Sequence, residues 1–193
     1  MLNGLDLFSG IGGITLALEG LVRPVAYCEN DRYAQAVMLS RMRDGLLPVA
    51  PIWDDIRTLT SEGLQVPVDI IVGGFPCQDI SVAGRRAGLA GERSGLFFEI
   101  VRLVREIRPR FIFLENVAGI TPFLGTVAGE LAAVGYDCRW GMLRAYDVGA
   151  PHFRDRWFCL SHTNSVNGGS LQRTDYQCGK NLANPDSKRL LCP

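Results

Sequence analysis

At 193 residues, 47% of them hydrophobic, the chain is long and apolar enough for one domain with a buried core and a short tail. Twenty basic residues balance twenty acidic ones, which excludes a protein that merely coats nucleic acid, because such binding rests on excess positive charge. No apolar run is long enough to cross a membrane, and Met1-Leu2-Asn3-Gly4 lacks the basic start and apolar core of a signal peptide, so a cytoplasmic protein without a membrane partner is expected. Residues 5–8 read as a strand, followed by the turn Ser9-Gly10-Ile11-Gly12-Gly13. A helix begins over residues 14–18, and Gly20 ends it. Residues 25–28 read as a second strand and residues 33–43 as a second helix. Asp69-Ile70-Ile71-Val72 has the unbroken apolar character of a buried strand, stopped by Gly73-Gly74. Leu96, Ile100, Leu103, Val104 and Ile107 keep helical spacing. Residues 111–114 form another apolar strand, residues 126–134 a helix, and residues 138–143 and 156–160 the last two strands. From Thr163 onward polar residues and glycine dominate without periodicity, so residues 163–193 read as a loop-like tail behind a single domain over residues 1–162.

Strands separated by helices predict an α/β fold, a mainly parallel, doubly wound sheet with helices on both faces. Ligands of such sheets bind beyond the carboxyl ends of the strands. Gly10, Glu29, Pro76-Cys77 and Glu115 all sit at predicted strand ends. The six cysteines are Cys28, Cys77, Cys138, Cys159, Cys178 and Cys192. They are scattered, with no C-x-x-C pair, so neither a metal site nor a disulfide framework is expected. Cys28, Cys138 and Cys159 lie in apolar stretches and read as small core residues.

The glycine turn opens a helix, where bare backbone lets a ligand approach exposed N–H groups. Taken alone, such a turn is as readily a plain strand–helix connection. Glu29, at the end of the next strand, stands where an acid grips ribose hydroxyls, and favours a nucleoside. The spacing G-x-G-G differs from the dinucleotide pattern G-x-G-x-x-G. Cys77 sits in the Gly/Pro-rich loop Gly73-Gly74-Phe75-Pro76-Cys77-Gln78, exposed to a cleft, where backbone N–H groups and arginines favour its thiolate. Glu115, after four apolar residues, would be half-buried, which raises a carboxyl pKa and suits an acid that holds a proton near neutrality. Arg154 and Arg156, two apart in extended chain, point to one side and could grip an anion or a carbonyl oxygen. Taken alone, Cys77 reads more often as a structural cysteine, Glu115 as a helix cap or surface acid, and the two arginines as a common solvated charge run.

Together, Phe8-Ser9-Gly10-Ile11-Gly12-Gly13, Gly74-Phe75-Pro76-Cys77-Gln78, Glu115-Asn116-Val117 and Arg154-Asp155-Arg156 resemble, in order and kind, four motifs of the DNA cytosine-5 methyltransferases. The resemblance runs from Leu5 to about Leu160 and includes Glu29-Asn30, Asp55-Ile56 and Ser94-Gly95-Leu96. It implies a Rossmann-like methyltransferase sheet with its last strand antiparallel, S-adenosylmethionine as cofactor and double-stranded DNA as partner. On that resemblance Phe8, Gly10, Ile11, Gly12 and Gly13 line the cofactor site, Glu29 and Asn30 hold its ribose end, and Asp55 with Ile56 its adenine. Pro76 and Leu96 lie near its methionine end. Cys77 is the nucleophile, Glu115 holds or protonates ring nitrogen 3 of cytosine, and Asn116 positions the cysteine loop. Arg156 is expected to hold the base's carbonyl oxygen, with Arg154 bracing Glu115 or a phosphate, and the two arginines could exchange these roles. Gln78, Ser81, Arg85, Arg86 and Arg93 are expected to contact DNA.

His152-Phe153 stands where the family usually carries Gln followed by Lys or Arg. The family also continues into a target-recognition region and a last helix that closes the cofactor site, which 193 residues do not hold. Three readings follow: a truncated methyltransferase, a subunit that needs a second chain carrying the recognition region and the last helix, or a non-catalytic cofactor- or DNA-binding module. RNA is the alternative substrate, because related cytosine-5 enzymes modify transfer RNA.

Overall fold

The computed structural model describes residues 1–76 and 95–163. Its elements in chain order are β1 (Leu2–Leu7), α1 (Gly13–Ala17), β2 (Val22–Cys28), α2 (Arg32–Arg43), β3 (Ile52–Trp53), β4 (Ile70–Gly74), α3 (Gly95–Ile107), β5 (Phe111–Val117), α4 (Leu124–Ala133), β6 (Tyr136–Arg144) and β7 (Asp155–Thr163). The strands make one sheet in the order β3-β2-β1-β4-β5-β7-β6. Pairing is parallel from β3 across to β5, and β7 runs antiparallel to both β5 and β6. This is the doubly wound, mostly parallel sheet expected, with the last strand antiparallel.

Alternation along the strands decides which helix covers which face. Leu5, Leu7, Ala26, Cys28, Ile71, Ile112, Leu114, Trp157 and Cys159 point to one face and form the main core with Phe97, Ile100, Val104 and Leu131 from α3 and α4. Ile70 and Val72 point to the other face and pack with Ile14 and Leu18 at α1. Tyr27, also on that face, packs on Met38 and Met42 of α2. No helix among the described residues is long and apolar enough to cross a membrane.

Several boundaries differ from expectation for physical reasons. The strand expected to stop before Gly73-Gly74 runs through both glycines, because Gly73 pairs with Leu7 and Gly74 with Glu115. A Cβ on Gly73 would stand 3.1 Å from the Leu7 carbonyl oxygen, so the bare backbone permits the close approach. β2 starts three residues earlier than expected, despite Pro24. A register shift between Gly4 and Leu5 absorbs the extra residue Val25, and a proline that cannot donate is tolerated at such a bulge. β5 extends past Leu114 and carries Glu115 and Asn116 within the ladder. β3 was not expected, because two residues give no periodicity. Cys138, read as core, is only partly buried, on the edge strand β6.

The end of β1 also anchors the glycine turn. Asp6 is fully buried and accepts from Thr15 Oγ1, while its carbonyl accepts from Ser9 Oγ at 2.8 Å. Burial pushes its carboxyl up to about 7, against the hydroxyls of Thr15 and Ser9, and the charge of Glu29 adds to the rise. An unfolded aspartate titrates near ~3.9, so the folded state keeps a proton that the unfolded chain has released. The stability this gives is complete below about pH 4 and is lost as pH rises through about 7. We predict that wild type loses stability between pH 5 and pH 7 by up to about 1.4 kcal/mol per pH unit relative to Asp6→Asn, which keeps an acceptor for Thr15. Urea titrations across that range check it, and parallel pH curves for the two proteins would refute it.

Candidate active site

The chain leaves β1 for β2 and β3 on one side and returns to β4 on the other, so the crevice between these directions is where a doubly wound sheet holds ligands. A cavity of about 880 Å³ lies there. Six of the predicted cofactor residues line it: Phe8, Asn30, Asp55, Ile56, Pro76 and Leu96. Five of them follow β1, β2, β3 and β4, Asp55 and Ile56 both coming after β3, and Leu96 projects from the first turn of α3. The other predicted residues, Gly10 to Gly13 and Glu29, are not part of the lining but form the turn beside it. Gly10 and Gly12 have φ of +54° and +88°, and Phe8 holds the left-handed region at +53°, which a non-glycine residue adopts only when its surroundings impose it. The buried Glu29 carboxylate imposes part of this order. It accepts from Gly10 N at 2.7 Å and from Asp31 N at 2.8 Å. Arg41 Nη1 donates to Ile11 O at 2.6 Å on the other side of the turn.

A second group assembles at the ends of β4, β5 and β7. Glu115 and Asn116 alternate across the sheet. Glu115 lies opposite Phe158, and Arg156 lies opposite Val117, so Glu115 and Arg156 are diagonal neighbours on one face. Arg156 Nε meets Glu115 Oε1 at 2.7 Å. The ion pair therefore falls to Arg156, while Arg154 is exposed and acts on Glu115 through its charge. Half-burial pushes the Glu115 carboxyl up, and Arg156 and Arg154 pull it back only in part. A Cβ on Gly74 would stand 3.0 Å from Glu115 Oε2, so the carboxylate occupies the space that the glycine leaves. On the opposite face the buried Asn116 donates from Nδ2 to Phe75 O at 3.1 Å. That bond, with the Phe75 ring packed on Phe97 at 5.4 Å, fixes the chain just before Pro76.

Cys77, Gln78, Ser81, Arg85, Arg86 and Arg93 lie outside the described residues, as does the tail from residue 164. Cys28 also lines the cavity, but burial and then the charge of Glu29 push its thiol up to about 12, which makes it an inert wall. No group of metal-ligating side chains occurs among the described residues. Sequence reasoning did not single out Gln35, whose Nε2 donates to Glu29 O, or Arg102, whose guanidinium reaches Ile56 O and Leu59 O. Both look like ordinary polar positions on a helix, and backbone carbonyl partners leave no trace in a sequence.

The family model of the C-5 cytosine-specific DNA methylases matches residues 2–188. The chain is 38% identical over 159 residues to the type II methyltransferase M.CviJI of Paramecium bursaria Chlorella virus, spanning 81% of this chain and 42% of that protein. It is 35% identical over 177 residues to the type II methyltransferase M.HhaI of Haemophilus parahaemolyticus, spanning 89% of this chain and 52% of the relative. Its fold superposes on Spodoptera frugiperda DNMT2 with a TM-score of 0.70 at 23% identity, over 91% of this chain and 54% of that one. The chain thus spans about half the length of the relatives it matches. The matched span includes the glycine turn, the cavity and the Glu115–Arg156 pair, and the chain belongs to the C-5 cytosine-specific DNA methylase family.

Proposed function

We propose that this chain carries the cofactor-binding and catalytic part of an enzyme that methylates carbon 5 of cytosine in double-stranded DNA, with Cys77 as nucleophile. One observation supports this reading above the others. Glu115 paired with Arg156, Asn116 tied to Phe75 O, and Pro76 in the cavity wall converge from distant parts of the sequence where β4 ends, and Cys77 is the next residue in sequence. The cavity fits S-adenosylmethionine. Its volume suits a small-molecule ligand, and a Cβ on Gly10 or Gly13 would meet nothing within 4 Å. The Asp55 carboxylate in the wall is an acceptor for an adenine amine, and Glu29, beside the wall with one backbone N–H on each oxygen, keeps further lone pairs for ribose hydroxyls. S-adenosylmethionine, when bound, supplies an electrophilic methyl group.

Carbon 5 of cytosine is too poor a nucleophile to take that methyl group unaided. The Cys77 thiolate bonds to carbon 6, and the displaced electron pair makes the ring enamine-like. Glu115 meets the rising charge at nitrogen 3 with a proton, the state that its upward shift favours. Arg156 braces Glu115, and Arg154, exposed and outside that ion pair, takes the base's carbonyl oxygen or a phosphate on this reading. After methyl transfer carbon 5 loses its proton to a base, the carbon–sulfur bond breaks to free the Cys77 thiolate, and nitrogen 3 returns its proton to Glu115. The base must leave the stacked duplex for any of this.

Covalent trapping tests the reading. With duplex DNA containing 5-fluorocytosine and the cofactor, we expect a denaturant-stable adduct that Cys77→Ser abolishes. An adduct that survives in Cys77→Ser would remove that residue from the mechanism. Glu115→Gln should lower turnover by about 10²–10⁴-fold. It should also flatten the fall in rate as pH rises through the Glu115 pKa, which burial raises from its ordinary value in wild type. A pH–rate profile identical in shape to wild type would sink the proton-holding role. Gly74→Ala should displace the Glu115 carboxylate and cost about 10²-fold in turnover, with cofactor affinity unchanged by calorimetry.

A further inference from the structure

We propose that Arg102 is a positioning residue of the cofactor cavity, holding the turn over residues 54–59 so that the site prefers adenine to other bases. The proposal rests on the reading of the cavity as an S-adenosylmethionine site. β3 pairs with β2 only at Ile52 and Trp53, so the chain that follows lies beyond the ladder. It nevertheless lines the cavity with Asp54, Asp55, Ile56 and Arg57. Inside the turn, Asp55 Oδ1 accepts from Arg57 N at 2.9 Å and the Asp55 carbonyl from Thr58 N at 3.1 Å. Trp53 Nε1 closes the turn on Thr58 Oγ1 at 2.8 Å.

These bonds shape the turn from within, while the buried side chains of Ile56 and Leu59 pack it into the main core. Arg102 fixes the carbonyls of these two residues from α3. Its Nη2 donates to Ile56 O at 2.8 Å and to Leu59 O at 2.9 Å. Its Nε and Nη1 are held by Glu99 at 2.6 Å and Glu106 at 2.7 Å, three residues before and four after it on the helix. The fork is therefore oriented from both sides before it reaches the carbonyls, an arrangement that a lysine's single point charge reproduces only in part. Glu106 extends the clamp by accepting from Ser61 N at 3.2 Å. The same helix carries Leu96 into the cavity wall, so one rigid element sets both the wall and the turn. An acceptor discriminates between an amine and a carbonyl oxygen on a purine only when it cannot swing away, because the wrong partner must then leave a polar group unsatisfied.

The test uses the whole chain and two ligands, S-adenosylhomocysteine and its inosine analogue, in which an oxygen replaces the 6-amino group. Affinities come from calorimetry, and folding is checked by near-ultraviolet circular dichroism and thermal melting. Arg102→Met is expected to weaken S-adenosylhomocysteine at least tenfold while changing the inosine analogue little, so that the ratio of the two affinities collapses. Arg102→Lys should restore part of the ratio. In an Asp55→Ala background, Arg102→Met should cost nothing further. A melting temperature that falls while the affinity ratio stays at its wild-type value would overturn the proposal and leave Arg102 a stabilising residue alone. If Asp55→Ala binds both ligands as wild type does, the reading of the cavity fails first, and the proposal falls with it.

Discussion

Parallel pairing of β1, β2, β4 and β5 is the constraint on which the site depends. Parallel strands all end at the same edge of the sheet, and each end must turn into a loop there. Phe8, Asn30, Pro76 and Glu115 reach one edge for this reason, although more than a hundred positions separate the first from the last. β7 then enters antiparallel and begins where β5 ends, which brings Arg156 to Glu115. Had β7 been parallel, its first residues would have opened at the opposite edge.

Three acidic groups near this edge show how burial is offset in different ways. Asp6 has hydroxyl partners but no cation, and burial dominates, raising it to about 7. Glu29 is met by two backbone N–H groups at 2.7 and 2.8 Å and serves as a structural clamp on the glycine turn. Glu115 stands between these cases. Two arginines oppose its desolvation without cancelling it. The proton-holding role proposed for Glu115 is served by such opposition.

The sheet was largely legible because its strands are buried on both faces and read as plain apolar runs, as at residues 70–72 and 111–114. The mostly parallel, doubly wound arrangement also followed from the helices between the strands, whereas the order of the strands did not. Boundaries were less legible where pairing overrides composition: Gly73-Gly74 looks like a stop, yet lies in the ladder, and Pro24 looks like a break, yet sits at a bulge. At the site, Glu115, Asn116 and Arg156 stood out by type and order. Their partnership did not, because i and i+2 spacing places Arg154 and Arg156 on one side without saying which of them meets Glu115. Gly74 read as a strand stop in a Gly/Pro-rich loop, whereas its missing Cβ is the space that the Glu115 carboxylate fills.

The loops of the site share one device. Each lies past the last ladder bond, and each is fixed by a side chain that hydrogen-bonds its backbone. Glu29 holds Gly10, Arg41 holds Ile11, Gln35 holds the chain at Glu29, Asn116 holds Phe75, and Arg102 holds Ile56 and Leu59. Polar backbone groups at a sheet edge must find partners somewhere. Water would satisfy them too, but it would not choose a conformation, whereas a side chain rooted in a helix or strand does. A bond of this kind contributes roughly 1–3 kcal/mol when one partner is charged, a modest share of a domain's stability. Its loss would therefore free one loop while the sheet stays folded, and geometry at the cavity is more sensitive to these residues than the fold is.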